Sequence, residues 1–329
     1  MKNPLRFDGA TLGRSAGLIK IAGFVGVMAL AGAAAFGVGR AIGPIDNNTS
    51  HDSHSSASTA DMDMTEGNDV QPGGLAATEN GYALQLDDRI TTPAPAAPIR
   101  FRILDTAGTP VTDYQTEHDK ELHLIVVRRD LSGYQHLHPV RDASGTWTTT
   151  ADLSRAGDYK VFADFAPTGA AGITLGTDIA VGGDYQPIPL PPESTTASVD
   201  DYTVQMTGAA GAGEGTMVSF HISLHGKPVT DLQPYLGAYG HLVALRSTDL
   251  AYLHVHPSGV PGDGHTAAGP DVAFHLTAPS AGAYRLFLDF KHSDKVRTAE
   301  FTVNVGHGPA PAMSTAETAS PAPALHGGH

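Results

Sequence analysis

The sequence contains no cysteine. That absence excludes disulfides, thiolate nucleophiles, zinc–thiolate centres and a blue-copper site, which requires a cysteine sulfur. Charge is also scarce: 16% of residues are Asp, Glu, Lys or Arg, against roughly 25% in an ordinary globular chain. Positive charge is scarcer still, with 20 Lys and Arg against 34 Asp and Glu and a formal net charge of −14. Nucleic acid is therefore not an expected partner, because phosphate recognition needs a basic face. Helical periodicity and "GxSxG" are missing after the first 43 residues, where the one match, "GRSAG" at 13–17, precedes the apolar stretch and follows no strand pattern, and "HExxH" and phosphate-loop motifs are missing throughout. No catalytic activity is expected. What the chain has in quantity is glycine, 38 residues, proline, 23, and histidine, 17. The first two favour turns and short strands, and the third offers neutral nitrogen ligands on an acidic protein.

Compartment is read from the N-terminus. Lys2, Arg6, Arg14 and Lys20 precede an uncharged stretch of 18 residues, Ile21–Val38. That length just spans a bilayer as a helix, and the flanking basic residues hold the N-terminus in the cytoplasm. A cleaved signal peptide is the alternative, with "AAA" at 33–35 as a small-residue cleavage site. Either way, everything after Arg40 is expected outside the cytoplasm. Residues 1–43 are read as cytoplasmic N-terminus and transmembrane signal-anchor. Residues 44–80 are read as a disordered spacer carrying His51, His54, Met62 and Met64, and residues 307–329 as a disordered tail.

Between them stands a duplication. "PVTDYQTEHDKELHLIVVRRDLSGYQHLHP" at 110–139 aligns without a gap to "PVTDLQPYLGAYGHLVALRSTDLAYLHVHP" at 228–257. "AGDYKVFADF" at 156–165 returns as "AGAYRLFLDF" at 281–290, and "GYALQL" as "DYTVQM". A repeat of about a hundred residues marks two equivalent domains, 81–183 and 201–306, joined by a linker at 184–200. In the first copy the alternation predicts strands near 82–86, 99–104, 121–129, 133–138, 147–153, 158–165 and 173–181. The fold class expected is all-β: two tandem immunoglobulin-like β-sandwiches behind an N-terminal transmembrane helix.

The motif that carries chemistry is the repeated Tyr-x-His-x-His-Pro. On a strand His136 and His138 project to one face, and a hairpin through "RRDLSG" brings His123 close to His138, since paired strands lie about 4.8 Å apart. Whether His123 shares that face depends on register, and a slip of one residue reverses it. His241, His254 and His256 repeat the set. Three imidazoles on a sheet suit Cu(II) and, second, Zn(II), and leave a coordination position open. Asp164 and Asp289 are placed to add an oxygen or to orient a ring. The competing reading makes these histidines structural, hydrogen-bonding a loop copied with the domain. Arg128, Arg246, Asp113 and Asp231 are expected to be structural.

"HLIVVRRDLSGYQHLHP" together with "AGDYKVFADF" resembles the YtkA-like group of exported bacterial modules. These sandwich domains are broadly similar in architecture to CopC-type copper-binding proteins. The second resemblance implies copper binding outside the cytoplasm; the N-terminal histidine ligand of CopC-type proteins has no counterpart here. The expected function is a membrane-anchored extracytoplasmic protein that captures, stores or delivers copper or zinc through its histidines. The alternative is a non-catalytic structural or interaction protein of the cell envelope, with a protein partner there.

Overall fold

A computed structural model describes residues 72–306, apart from Glu214 and the side chains of His254 and His256. The expected membrane segment, the spacer up to residue 71 and the tail from 307 lie outside the described residues. Among the described residues every regular element is a β-strand. They form two sandwiches that belong to one compact unit.

In the first sandwich one sheet runs Thr78–Glu79, Tyr82–Leu86, Ala94–Leu104, Thr146–Leu153, Val140–Arg141. The facing sheet runs Ile90–Thr91, Ile173–Val181, Gly157–Pro167, Leu122–Arg128, Gln135–Leu137. The second sandwich repeats this plan. Thr196–Val199, Tyr202–Thr207, Gly215–Leu224, Asp271–Thr277 and His256–Pro257 make one sheet. Tyr252–His254, His241–Arg246, Gly282–His292 and Lys295–Val305 make the other. The strand at Thr196–Val199 lies inside the stretch expected as linker. "TASV" alternates exposed and buried residues, and it pairs antiparallel with Tyr202–Thr207.

Alternation explains most strands. Ala94–Leu104 sends Ile99, Phe101 and Ile103 into the core between the sheets while Arg100 points outward. Leu122–Arg128 breaks that pattern, because all its residues are buried. Leu122, Leu124 and Val126 enter the core of the first sandwich. Ile125 and Val127 point the other way and still reach no solvent, because the second sandwich covers them.

The covering surface is the equivalent sheet of the other copy. Ile125, Val127, Leu131 and Phe162 pack against Val243, Leu245, Leu250, Tyr252 and Phe287 in a third apolar cluster. The contacts are reciprocal. Tyr134 of the first copy stacks on Phe287 of the second, ring centres 4.0 Å apart and 5° from parallel. Tyr252, its counterpart, meets Phe162, the counterpart of Phe287, at 5.4 Å. The duplicated domains thus pack through an internal version of a two-fold interface, the same patch used from both sides. A short strap locks the seam: the Tyr252 amide donates to the Gly73 carbonyl and the Gly74 amide to the Thr174 carbonyl. Gly74 has φ +74°, and a Cβ there would lie 2.4 Å from the Phe162 ring, so glycine is required.

Each sandwich carries one tyrosine anchored to a carbonyl four residues upstream. The Tyr159 hydroxyl donates to Arg155 O at 2.9 Å and the Tyr284 hydroxyl to Ser280 O at 2.9 Å. Arg128 is structural. Its guanidinium, 1% exposed, donates to Ala156 O at 3.0 and 2.7 Å, to Gln186 O at 2.9 Å and to Asp130 at 2.6 Å. Arg246 holds Asp249 and Ser280 in the same corner of the second copy. Asp231 accepts a bond from His292 Nε2 at 3.0 Å.

Candidate metal centre at the sandwich junction

The register resolves which face His123 occupies. Ile125 lies opposite His136 and Leu124 opposite Leu137. Continued by one pair, His123 stands across from His138 on the face of Ile125 and His136. Gly157–Pro167 flanks the other side, where Asp164 is the direct partner of His123. All these side chains therefore project from the face that packs against the second sandwich.

The edge strand is shorter than 133–138. It covers Gln135–Leu137, and His138 lies just past it. The chain there crosses from one sheet to the other: Val140–Arg141 pairs with Thr146–Leu153 on the opposite sheet. Pro139, with no amide hydrogen to contribute to a ladder, sits at that crossing. In the second copy the crossing falls between the two histidines. His254 ends Tyr252–His254, opposite Val243, while His256 begins a strand of the other sheet, opposite His275. The expected single strand through both histidines is thus replaced by two short ones.

Three imidazoles converge. His123, His136 and His138 each place one ring nitrogen within 4.8 Å of the others. Their ring centres are 5.2, 5.3 and 4.9 Å apart. Hydrogen bonds assign the tautomers. His123 Nε2 donates to the Glu117 carbonyl at 3.2 Å, which leaves Nδ1 with its lone pair. His136 Nδ1 donates to the Asp289 carboxylate at 2.8 Å, with both side chains nearly inaccessible at 6% and 3% exposure. That leaves a lone pair on His136 Nε2 as well. These two nitrogens face each other at 3.0 Å. Two lone pairs so close repel unless a cation, a proton or a metal ion, lies against both. His138 Nε2 is buried and has no hydrogen-bond partner among the described residues, an arrangement that costs about 1–3 kcal/mol if nothing fills it.

The second copy reaches the same place. His241 Nε2 donates to the carbonyls of Tyr235 and Leu236 at 3.1 and 3.0 Å, so its Nδ1 is also bare. Its ring lies 6.2 Å from His123 and 6.1 Å from His136. His118, on the loop before Leu122–Arg128, stands 5.1 Å from His241. These residues, with Asp164 and Tyr252, line one recess. Asp164 accepts from Thr174 at 2.8 Å and from the Tyr252 hydroxyl at 3.4 Å. Burial, and after it the neighbouring His136, pushes His123, His138 and His241 each down to about 3. They are neutral at physiological pH, the form in which imidazole binds metal.

Sequence reasoning placed His123, His136 and His138 as one set and His241, His254 and His256 as another, one in each domain. The structure brings the first three together and sets the His241 ring 6.2 Å from His123 and 6.1 Å from His136 across the junction. Among the described residues Asp289 orients no ring of its own sandwich; it holds His136 of the other. His118 was not anticipated, because a histidine in a polar loop carries no periodic signal. The junction itself did leave a trace in the sequence. "HLIVVR" and "HLVALR" are unbroken apolar runs, as expected of strands covered on both faces.

Among solved structures the chain is similar to FdeC, an Escherichia coli adhesin, at 15% identity and TM-score 0.22, covering 70% of this chain and 66% of that one. It is similar to the Ig1-2 module of the Drosophila receptor tyrosine phosphatase DLAR at 7% identity and TM-score 0.20, covering 69% and 98%. It is similar to Yersinia pseudotuberculosis InvD at 12% identity and TM-score 0.22, covering 70% and 59%. Likenesses this weak carry no argument. No curated protein matches. A family model, by contrast, matches twice, over residues 76–181 and 197–307, the two sandwiches. The chain belongs to the family described as domain of unknown function DUF8832, and carries that domain in tandem.

Proposed function

We propose that this protein is a metal-binding protein of the extracytoplasmic space, tethered to the membrane by its N-terminal segment, that captures, stores or delivers copper. The observation that carries the reading is the convergence of one ring nitrogen each from His123, His136 and His138, with His123 Nδ1 3.0 Å from His136 Nε2 and His138 Nε2 buried without a hydrogen-bond partner among the described residues. A tetrahedral Zn(II) or Cu(I) ion with nitrogens at about 2.0 Å and ring centres about 1.1 Å beyond needs neighbouring ring centres about 5.1 Å apart. The observed ring-centre spacings of 4.9–5.3 Å are compatible with such an ion. All-imidazole donors suit copper and zinc, with copper bound more tightly. Asp289 on His136 and the Glu117 carbonyl on His123 supply the outer hydrogen bonds that orient metal-binding imidazoles. The tether, the location and the likeness to YtkA-like and CopC-type modules rest on the sequence. An immunoglobulin-like classification is supported by the strand order and by the anchored Tyr159 and Tyr284.

A structural role for the same histidines, in an envelope scaffold, is favoured by one observation: His136 and Asp289 already tie the sandwiches together. Calorimetric titration of the full chain with Cu(I), and in parallel with Zn(II), separates the two. The metal-binding reading predicts a tight event that His136→Gln with His138→Gln abolishes while the metal-free variant still unfolds cooperatively. Equal heats in both proteins assign the histidines to the scaffold.

A further inference from the structure

Resting on the metal-binding reading, the geometry points to a site that neither sandwich owns: we infer that His241 supplies the fourth ligand to the ion held by His123, His136 and His138, so that the metal bridges the two domains. Three protein nitrogens leave a tetrahedral ion one position short. His241 is the described imidazole from the second sandwich nearest that position, with centres 6.2 and 6.1 Å from His123 and His136. The ring spacing required on a shared ion is about 5.1 Å, so the ring has to close by about 1 Å on His123 and His136 and to come within the same spacing of His138.

His241 is also prepared for the task. Its Nε2 proton is committed to two backbone carbonyls, which fixes the tautomer and leaves Nδ1 as donor. His123 is prepared identically, through the carbonyl six residues upstream, Glu117, as His241 is through Tyr235. Asp289 is the strand neighbour of His241 and the hydrogen-bond partner of His136. One carboxylate of the second sandwich therefore positions a ligand of the first, beside the second sandwich's own ligand. Duplication accounts for the arrangement: the reciprocal packing that sets Tyr134 on Phe287 and Tyr252 on Phe162 brings His123 and His241, equivalent residues, face to face.

The consequence is linkage. An ion that binds only when both sandwiches are docked stabilises the docked state by the free energy it gains there. Metal occupancy then sets how firmly the two domains are held, and removal of the metal loosens a specific seam.

The test is X-ray absorption spectroscopy of the full chain loaded anaerobically with half an equivalent of Cu(I), the oxidation state that accepts tetrahedral coordination, counting imidazoles by their outer-shell scattering, beside His241→Gln and His123→Gln. The inference predicts four imidazoles in the wild type, three in His241→Gln, and copper affinity weaker on the order of ten- to a hundredfold in that variant. Three imidazoles in the wild type, or an unchanged count and affinity in His241→Gln, overturns it while leaving the His123, His136, His138 site standing. A wild type that binds no copper, or whose spectrum is unaltered by His123→Gln, overturns that site and this inference together. The wild-type count stays decisive even if His241→Gln fails to fold.

Discussion

Acidification from pH 7 to pH 5 destabilises the metal-free protein, and the size of the effect follows from burial of its histidines. An unfolded histidine titrates near 6.5, whereas His123 and His241 are held down to about 3, by burial first. Through this interval the unfolded chain takes up protons that the folded chain refuses. Their contribution to stability is therefore complete above about pH 6.5 and is lost progressively as pH falls toward 3. At pH 5 each of the two costs about 2 kcal/mol relative to pH 7, about 4 kcal/mol together. His138, also held near 3 but less deeply buried, adds a smaller share. A loss of that size is a large fraction of the roughly 5–15 kcal/mol that holds an ordinary domain folded. The assay is urea unfolding with a chelator present, followed by the fluorescence of Trp147, which is buried in the first core. His241→Gln should lose about half of the pH dependence. Stability that is flat or rising from pH 7 to pH 5 would refute the premise that these imidazoles are buried and neutral.

Replacing Phe287 by Ala removes the ring on which Tyr134 stacks and opens a cavity at the seam; a loss of about 3–5 kcal/mol is expected in the same unfolding assay. Arg128→Met leaves Asp130 and the carbonyls of Ala156 and Gln186 without their buried partner, so destabilisation of about 3–5 kcal/mol should appear in thermal unfolding. Gly74→Ala forces a methyl group toward Phe162 at a positive φ and should cost about 1–3 kcal/mol, read by urea titration. Asp289→Asn removes the carboxylate that orients His136 and should weaken copper binding by about ten- to a hundredfold in competition titrations.

Local structure was largely legible because most strands announce themselves by alternation or by a short apolar run between turn residues. Tyr82–Leu86 and Ile173–Val181 fall at their expected limits. The edge strand shrank to Gln135–Leu137 because the chain leaves the sheet at Pro139 to join the opposite one, a tertiary event without a periodic signature. The duplicated Tyr-x-His-x-His-Pro identified the chemistry and missed the geometry. A repeat within a sequence suggests two sites, one per copy. Only the packing of Ile125 and Val127 against Val243 and Leu245 turns the copies toward each other. The pairing of His136 with Asp289 spans 153 residues, and no spacing rule connects positions so remote. The unbroken "HLIVVR" carried the missing information, since a strand whose two faces are both apolar needs a second partner.

The most direct test of the metal centre is anomalous diffraction at the copper edge from crystals of the copper-loaded protein. The account predicts a peak enclosed by His123 Nδ1, His136 Nε2 and a ring nitrogen of His138, with His241 drawn in from the second sandwich. A map with no peak at the junction, and His123 Nδ1 and His136 Nε2 in direct contact at 3.0 Å, would contradict it.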